Sequence, residues 1–143
     1  MDDKVAIVTG SRRGIGLGIA KELAQNGYTV IMSATADERQ ASSVTDSLKK
    51  EGLSVEYVQC DISDKQQRDN LFSKVMEKYK RIDVLVNNAG VAPKRREDIL
   101  IAPEEDFDRL IAINLKGTFF MTQTAARLMI EMLKNGMENY SPR

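Results

Sequence analysis

Thr9-Gly10-Ser11-Arg12-Arg13-Gly14-Ile15-Gly16 follows the apolar run Val5-Ala6-Ile7-Val8 and opens an amphipathic segment with Ile15, Ile19, Leu23 and Ala24 on one face. That order is a strand, a glycine turn and a helix start. The first amides of a helix have no intrahelical acceptor and the helix dipole favours negative charge there, so such a turn makes an anion site. Glycines let the backbone come within contact distance of a diphosphate, where a Cβ would clash. The stretch reads as the pyrophosphate seat of a nucleotide cofactor. It is not a P-loop, because Gly14 is followed by Ile15-Gly16 and not by Lys and Ser/Thr. The spacing Gly10-x-x-x-Gly14-x-Gly16 also departs from G-x-G-x-x-G.

Outward from this turn, apolar β-rich runs alternate with helical patterns. Strands are expected over Lys4–Thr9, Tyr28–Ser33, Leu53–Gln59 and Ile82–Asn87. Helices are expected from Gly14 to Asn26-Gly27, over Asp37–Glu51 with Asp37 as N-cap and Gly52 as stop, and from a Ser63 cap to Lys80. Two more follow a loop around Pro93, over Pro103–Leu115 and Gly117–Asn135, with a break before Gly117. Alternation of this kind implies parallel pairing through right-handed crossovers, and continuous apolar strands imply a sheet covered on both faces. The expected fold is α/β: the N-terminal half of a Rossmann-type doubly wound parallel sheet, strand order 3-2-1-4, over residues 1–143 as one dinucleotide-binding domain.

Composition narrows the chemistry. Lysine plus arginine equals aspartate plus glutamate at 21 each in 143 residues, which speaks against an electrostatic grip on nucleic acid or an anionic membrane. No apolar run is long enough to span a bilayer, and Met1-Asp2-Asp3-Lys4 opens no secretory signal, so a cytoplasmic setting is expected. The single cysteine, Cys60, excludes an internal disulfide and reads as a small buried hydrophobe. Histidine is absent, which removes Ser-His-Asp and Cys-His nucleophiles and the commonest transition-metal ligand; no metal site is expected. The basic run Lys94-Arg95-Arg96 reads as a solvated loop.

Four motifs stand in order: T-G-x-x-x-G-I-G at Thr9–Gly16, Asp61-Ile62 after the third strand, Asn87-Asn88-Ala89-Gly90 at the end of the fourth, and Asn114 in Asn114-Leu115-Lys116-Gly117. Together they resemble the short-chain dehydrogenase/reductase family, over the N-terminal part of a typical member. The resemblance implies that Gly10, Ser11, Arg12, Arg13, Gly14, Ile15 and Gly16 form the diphosphate loop. It places Asp61 at the adenine amino group with the Ile62 amide nearby, and Asn87, Ala89 and Gly90 beside the adenosine ribose. Asn114 matches the family's catalytic asparagine, which holds a relay water beside the active lysine. The bland alternatives are an ordinary βα turn, helix-entry capping by Asp61, a strand-ending turn and a helix break at Asn114.

An acid at the tip of the second strand would select NAD through the ribose 2′-hydroxyl. That tip reads Met32-Ser33-Ala34-Thr35, with no acid. Arg13, and more weakly Arg12, could reach a 2′-phosphate, with hydrogen bonds from Ser33 and Thr35. NADP(H) is favoured; Asp37 and Glu38 keep NAD(H) open. The family's serine and its Tyr-x-x-x-Lys have no counterpart in this sequence, since Tyr28, Tyr57 and Tyr79 are followed four residues later by Met32, Asp61 and Asp83. The lineage is therefore that of an NAD(P)-dependent oxidoreductase acting on a ketone or secondary alcohol, weakly similar to the 3-oxoacyl-acyl-carrier-protein reductase branch. The 143-residue chain alone is expected not to catalyse hydride transfer. A non-catalytic nucleotide-binding module and another doubly wound enzyme such as a methyltransferase are the alternatives. The fourth strand is expected to leave an unpaired apolar edge, and self-association, as a dimer or tetramer, is expected there or through Phe107, Leu110, Ile111, Leu128, Met129 and Met132.

Overall fold

A computed structural model describes residues 4–137 and 140–143. The opening Met1-Asp2-Asp3, and Glu138 and Asn139 in the C-terminal stretch, lie outside the described residues. The elements are β1 (Val5–Thr9), α1 (Gly14–Gln25), β2 (Thr29–Ala34), α2 (Glu38–Lys50), β3 (Val55–Gln59), α3 (Lys65–Tyr79), β4 (Val84–Val86), α4 (Glu104–Leu110), a π-helical stretch (Ile111–Gly117) and α5 (Thr118–Lys134). The strands form one parallel sheet in the order β3-β2-β1-β4, with Ile7 level with Ile31 on one side and with Leu85 on the other. This is the order expected of a doubly wound half.

The alternation of side chains along β1 builds the two covered faces. Val5 and Ile7 point to a core with Ile31, Leu71, Phe72, Val75, Met121 and Ala125, under α3 and α5. Ala6 and Val8 point to the other, with Ala20, Ala24, Val30, Met32 and Leu48, under α1 and α2. The strand ends near Gly10 therefore sit on a support packed from both sides.

Side-chain caps set the entries of α2 and α3. Asp37 caps α2 in a reciprocal box: its carboxylate accepts from Gln40 N at 2.8 Å while Asp37 N donates to Gln40 Oε1. Ser63 does not cap α3. Asp64 does, accepting from Gln67 N at 3.0 Å, and Ser63 instead donates to Asp61. A carboxylate one position nearer the helix outcompetes the hydroxyl for the free amides.

Two larger corrections concern the C-terminal half. No break separates the last two helices; the backbone stays helical through the π stretch, which absorbs the irregularity at Asn114 without ending the helix. The edge of β4 is also not left bare. Arg143 N donates to Asp83 O at 2.7 Å and Leu85 N donates to Arg143 O at 3.1 Å, so the last residue lies strand-like beside β4. Tyr140 anchors this return: it is buried in the α3/α5 core and donates from its hydroxyl to Ile82 O, with Arg81 over its ring at 5.9 Å. Unpaired strand amides at an apolar edge gain from any extended segment within reach.

The C-terminal helices divide differently from expectation. Met132 is a core residue, 6% exposed, and Leu128 and Met129 pack against the same core. The apolar residues left on the surface are Phe107, Ile111, Leu115 and Phe119, one every four residues, together with Ile130 and Leu133.

Candidate dinucleotide site

The C-terminal ends of β1, β2, β3 and β4 border a cleft of about 640 Å³. Its walls include Gly10, Arg12, Arg13, Gly14, Ile15 and Gly16 from the first turn, and Ala34, Thr35 and Ala36 beyond β2. Asp61 and Ile62 enter after β3, and Asn88, Ala89, Gly90 and Val91 after β4. Such crevices at the carboxyl ends of parallel strands, where the chain switches direction, are where this architecture binds ligands.

The first turn leads into a helix start with no side-chain cap. α1 begins after Arg13, whose side chain gives no capping bond, whereas α2 and α3 are closed by Asp37 and Asp64. The leading amides of α1 are therefore free for a ligand oxygen. The three glycines of the motif serve two purposes. A Cβ at Gly14, where φ is +60°, would meet nothing within 4 Å, so this position faces open space. A Cβ at Gly16 would fall onto Asn88 Nδ2 and lie 2.5 Å from Gly10 O, and one at Gly10 would lie 2.8 Å from Ala89 Cα. Gly10 and Gly16 thus let the turn after β1 seat against the turn after β4, and Gly14 leaves the approach clear for phosphate.

That seating is organised by Thr9, which opens the glycine motif but was given no role from the sequence. Its Oγ1 accepts from Asn88 N and Ala89 N, both at 3.0 Å, and donates to Val86 O. Asn88 Nδ2 returns to Thr9 O at 2.9 Å and Gly10 O at 3.1 Å. The signal was present in the adjacency of Thr9 to Gly10, but which strand its hydroxyl would meet depends on the sheet order.

Several expected residues lie elsewhere. Ser11 is fully buried, donating to Val8 O at 2.7 Å and accepting from Ser33 N at 2.9 Å. Ser33 is 1% exposed. Both brace β1 against β2 beneath the cleft, so a direct bond from Ser33 to a 2′-phosphate does not fit this geometry. Asn87 turns away to donate to Thr122 Oγ1 at 2.9 Å, and Asn88 takes its place in the wall. Asn114 is exposed and is held by Val91, accepting from Val91 N and donating to Val91 O, each at 2.9 Å. It steadies the Gly90-Val91 backbone from behind. At the end of the same π stretch, a Cβ on Gly117 would sit 2.7 Å from Ile62 O, so this helix abuts the Asp61-Ile62 turn. Arg68, buried, donates to the same Ile62 carbonyl at 2.5 Å.

Asp61 is fixed in orientation: its Oδ1 accepts from Ser63 N at 2.9 Å and from Ser63 Oγ at 2.6 Å. Cys60 lines the floor of the cleft, only 2% exposed. Burial pushes its thiol up to about 11, and the neighbouring Asp61 charge adds to the effect. At neutral pH it is a protonated apolar wall atom, not a nucleophile. Accordingly, an aromatic disulfide reagent is expected to label Cys60 at least about tenfold faster in denaturant than in buffer, as a mostly unionised thiol behind protein must first be uncovered. Equal rates would contradict the buried placement.

Fold and cleft together define a doubly wound α/β protein with an open crevice at the carboxyl ends of its strands. The short chain dehydrogenase family model matches residues 4–137, and the chain belongs to that family. Elsinochrome reductase 1 of Elsinoe fawcettii is 40% identical over 126 residues, covering 87% of this chain and 46% of that protein. The crystal structure of a 3-oxoacyl-[acyl-carrier protein] reductase from Brucella melitensis in complex with NAD superposes with a TM-score of 0.82 at 36% identity, covering 91% of this chain and 50% of that one. A metagenomic short-chain oxidoreductase in complex with NADP gives a TM-score of 0.84 at 33% identity, covering 91% of this chain and 58% of its own. The chain spans about half the length of the curated relatives it matches. No helix among the described residues is long and apolar enough to cross a membrane.

Proposed function

We propose that this chain is the cofactor-binding part of an NAD(P)-dependent oxidoreductase acting on a ketone or secondary alcohol, of the kind found in the 3-oxoacyl-acyl-carrier-protein reductase branch. The observation that carries it is the uncapped start of α1 facing a cleft kept open at Gly14. A bound nicotinamide dinucleotide would supply hydride donation or acceptance. The residues of this chain bind and orient. Leading amides of α1 take the diphosphate, Asp61 and Ile62 meet the adenine, Ala89 and Gly90 border the ribose, and Asn114 holds the Gly90-Val91 turn.

Proton delivery to a substrate oxygen needs an acid, and the sequence has no Tyr-x-x-x-Lys to supply one. The 143-residue chain alone is therefore expected to bind nucleotide without turnover, and the second reading, a nucleotide-binding module, applies to it in that form. Authentic carbonyl-dependent oxidation of NADPH by the purified chain would contradict this.

NADP(H) is the favoured cofactor. Asp37 is committed to the α2 cap, and neither it nor Glu38 lines the cleft, whereas Arg12 and Arg13 do. A guanidinium suits a 2′-phosphate in geometry and charge. Arg13→Ala is expected to weaken NADPH binding about tenfold or more, on the scale of one charge-assisted hydrogen bond, and to leave NADH within about twofold. Unchanged NADPH affinity relative to NADH would remove the assignment. The exposed stripe of Phe107, Ile111, Leu115 and Phe119 supports a homo-oligomer, dimer or tetramer, which sedimentation at micromolar concentration tests: a clean monomer speaks against it. A cytoplasmic setting fits the lone buried thiol.

A further inference from the structure

We propose that Tyr57 and Gln59 are positioning residues that shape the turn after β2 into a seat for the 2′-phosphate of the adenosine. The inference rests on the dinucleotide reading above and names two side chains on the neighbouring strand that never touch the ligand.

Tyr57 and Gln59 lie two residues apart on β3 and so share one face of the strand. The Tyr57 hydroxyl donates to Ala36 O at 2.6 Å and lies 3.0 Å from Ala34 O, and Gln59 Nε2 donates to Thr35 O at 3.0 Å. Cys60 N also donates to Ala34 O at 2.9 Å. Consecutive carbonyls from Ala34 to Ala36 are thus all drawn toward β3. In a trans peptide the N–H points opposite to the C=O of the same unit, and no peptide among the described residues is cis. The amides of Thr35 and Ala36 therefore point opposite to the carbonyls that Tyr57, Gln59 and Cys60 hold, and neither carries a hydrogen bond among the described residues.

Around these amides the cleft is lined by Arg12, Thr35, Ala36 and Gln40. Gln40 spends its Oε1 on the α2 cap, which leaves its Nε2, a donor. Two adjacent outward amides, a hydroxyl, a carboxamide donor and a guanidinium make a concave donor set suited to a phosphate monoester. A ribose 2′-hydroxyl has no charge to reward most of it. Burial raises the Tyr57 phenol, so it stays protonated and remains a donor at neutral pH, while the Arg12 charge acts on it in the opposite sense.

The test is calorimetric titration of the chain, Tyr57→Phe and Gln59→Leu with NADPH and with NADH, alongside a thermal melt of each. Gln59 is exposed, so its variant keeps the fold if Tyr57→Phe does not. Each substitution is expected to weaken NADPH binding about three- to tenfold, the worth of one hydrogen bond, and to leave NADH within about twofold. A purely structural role would weaken both nucleotides in proportion. If the unmodified chain binds both nucleotides and the variants keep its ratio, the positioning role is overturned and the dinucleotide site stands. If the unmodified chain binds neither, the dinucleotide reading fails and this inference falls with it.

Discussion

Asp83→Ala lowers the unfolding free energy of this chain by about 3–5 kcal/mol, the range expected when one member of a buried ion pair is removed. Asp83 is 3% exposed and Arg81 is 7% exposed. The pair is bidentate, with Arg81 Nε on Asp83 Oδ2 at 2.9 Å and Nη2 on Oδ1 at 2.6 Å. Asp83 Oδ2 also accepts from Val5 N at 2.8 Å, so the same carboxylate ties the start of β1 to the start of β4. Alanine takes away the carboxylate facing the guanidinium and strands the Val5 amide in the sheet. Arg81 also lies over Tyr140, so the loss spreads to the segment covering the β4 edge. Replacing both members with apolar residues of similar size is expected to cost less than Asp83→Ala alone, because then no buried guanidinium loses its carboxylate. Urea denaturation of the two variants measures this; a loss under about 1 kcal/mol for the single substitution would show that the pair is not buried as described.

Gly16→Ala is expected to disable the cleft. Its methyl would overlap Asn88 Nδ2 and Gly10 O and press on Ser11 Cα at 2.9 Å. The carbonyl and Cα are backbone and cannot rotate aside, so the turn after β1 must separate from the turn after β4. Overpacking of this kind costs about 1–3 kcal/mol, and the same displacement misaligns the leading amides of α1. Since each ~1.4 kcal/mol is tenfold in affinity, dinucleotide binding is expected to fall at least about tenfold. Gly14→Ala is the informative companion. It meets open space within the protein but occupies a left-handed conformation and would project toward the ligand, so it should cost affinity with less loss of fold. A Gly16→Ala variant with full affinity and an unchanged melt would contradict the packing described.

The elements that sequence reading placed well are those written by local rules. The strand–turn–helix at Gly10–Gly16, the Asp37 cap and the strand order follow from periodicity, capping chemistry and crossover handedness. What stayed hidden depends on which strands become neighbours. Thr9 could be read as a motif threonine, but its bonds to Asn88 and Ala89 exist only because β1 lies beside β4. Tyr57 read as an ordinary strand residue, and its hold on the Ala34–Ala36 turn exists only because β2 lies beside β3. Ser11 and Ser33 looked like ligand-binding hydroxyls from their place in sequence; the packing of β1 on β2 closes them off. The π stretch carries Asn114, whose side chain reaches Val91, 23 residues earlier, a contact no local pattern encodes.

Amide-resolved NMR of the chain during titration with NADPH is the most direct check on the central claim. Saturable shifts are expected to cluster at Gly10 and Gly14–Gly16, at Thr35 and Ala36, at Asp61 and Ile62, and at Asn88–Val91, with Phe107 and Phe119 unmoved. Saturable shifts centred outside that cleft, or none up to millimolar nucleotide, would contradict it.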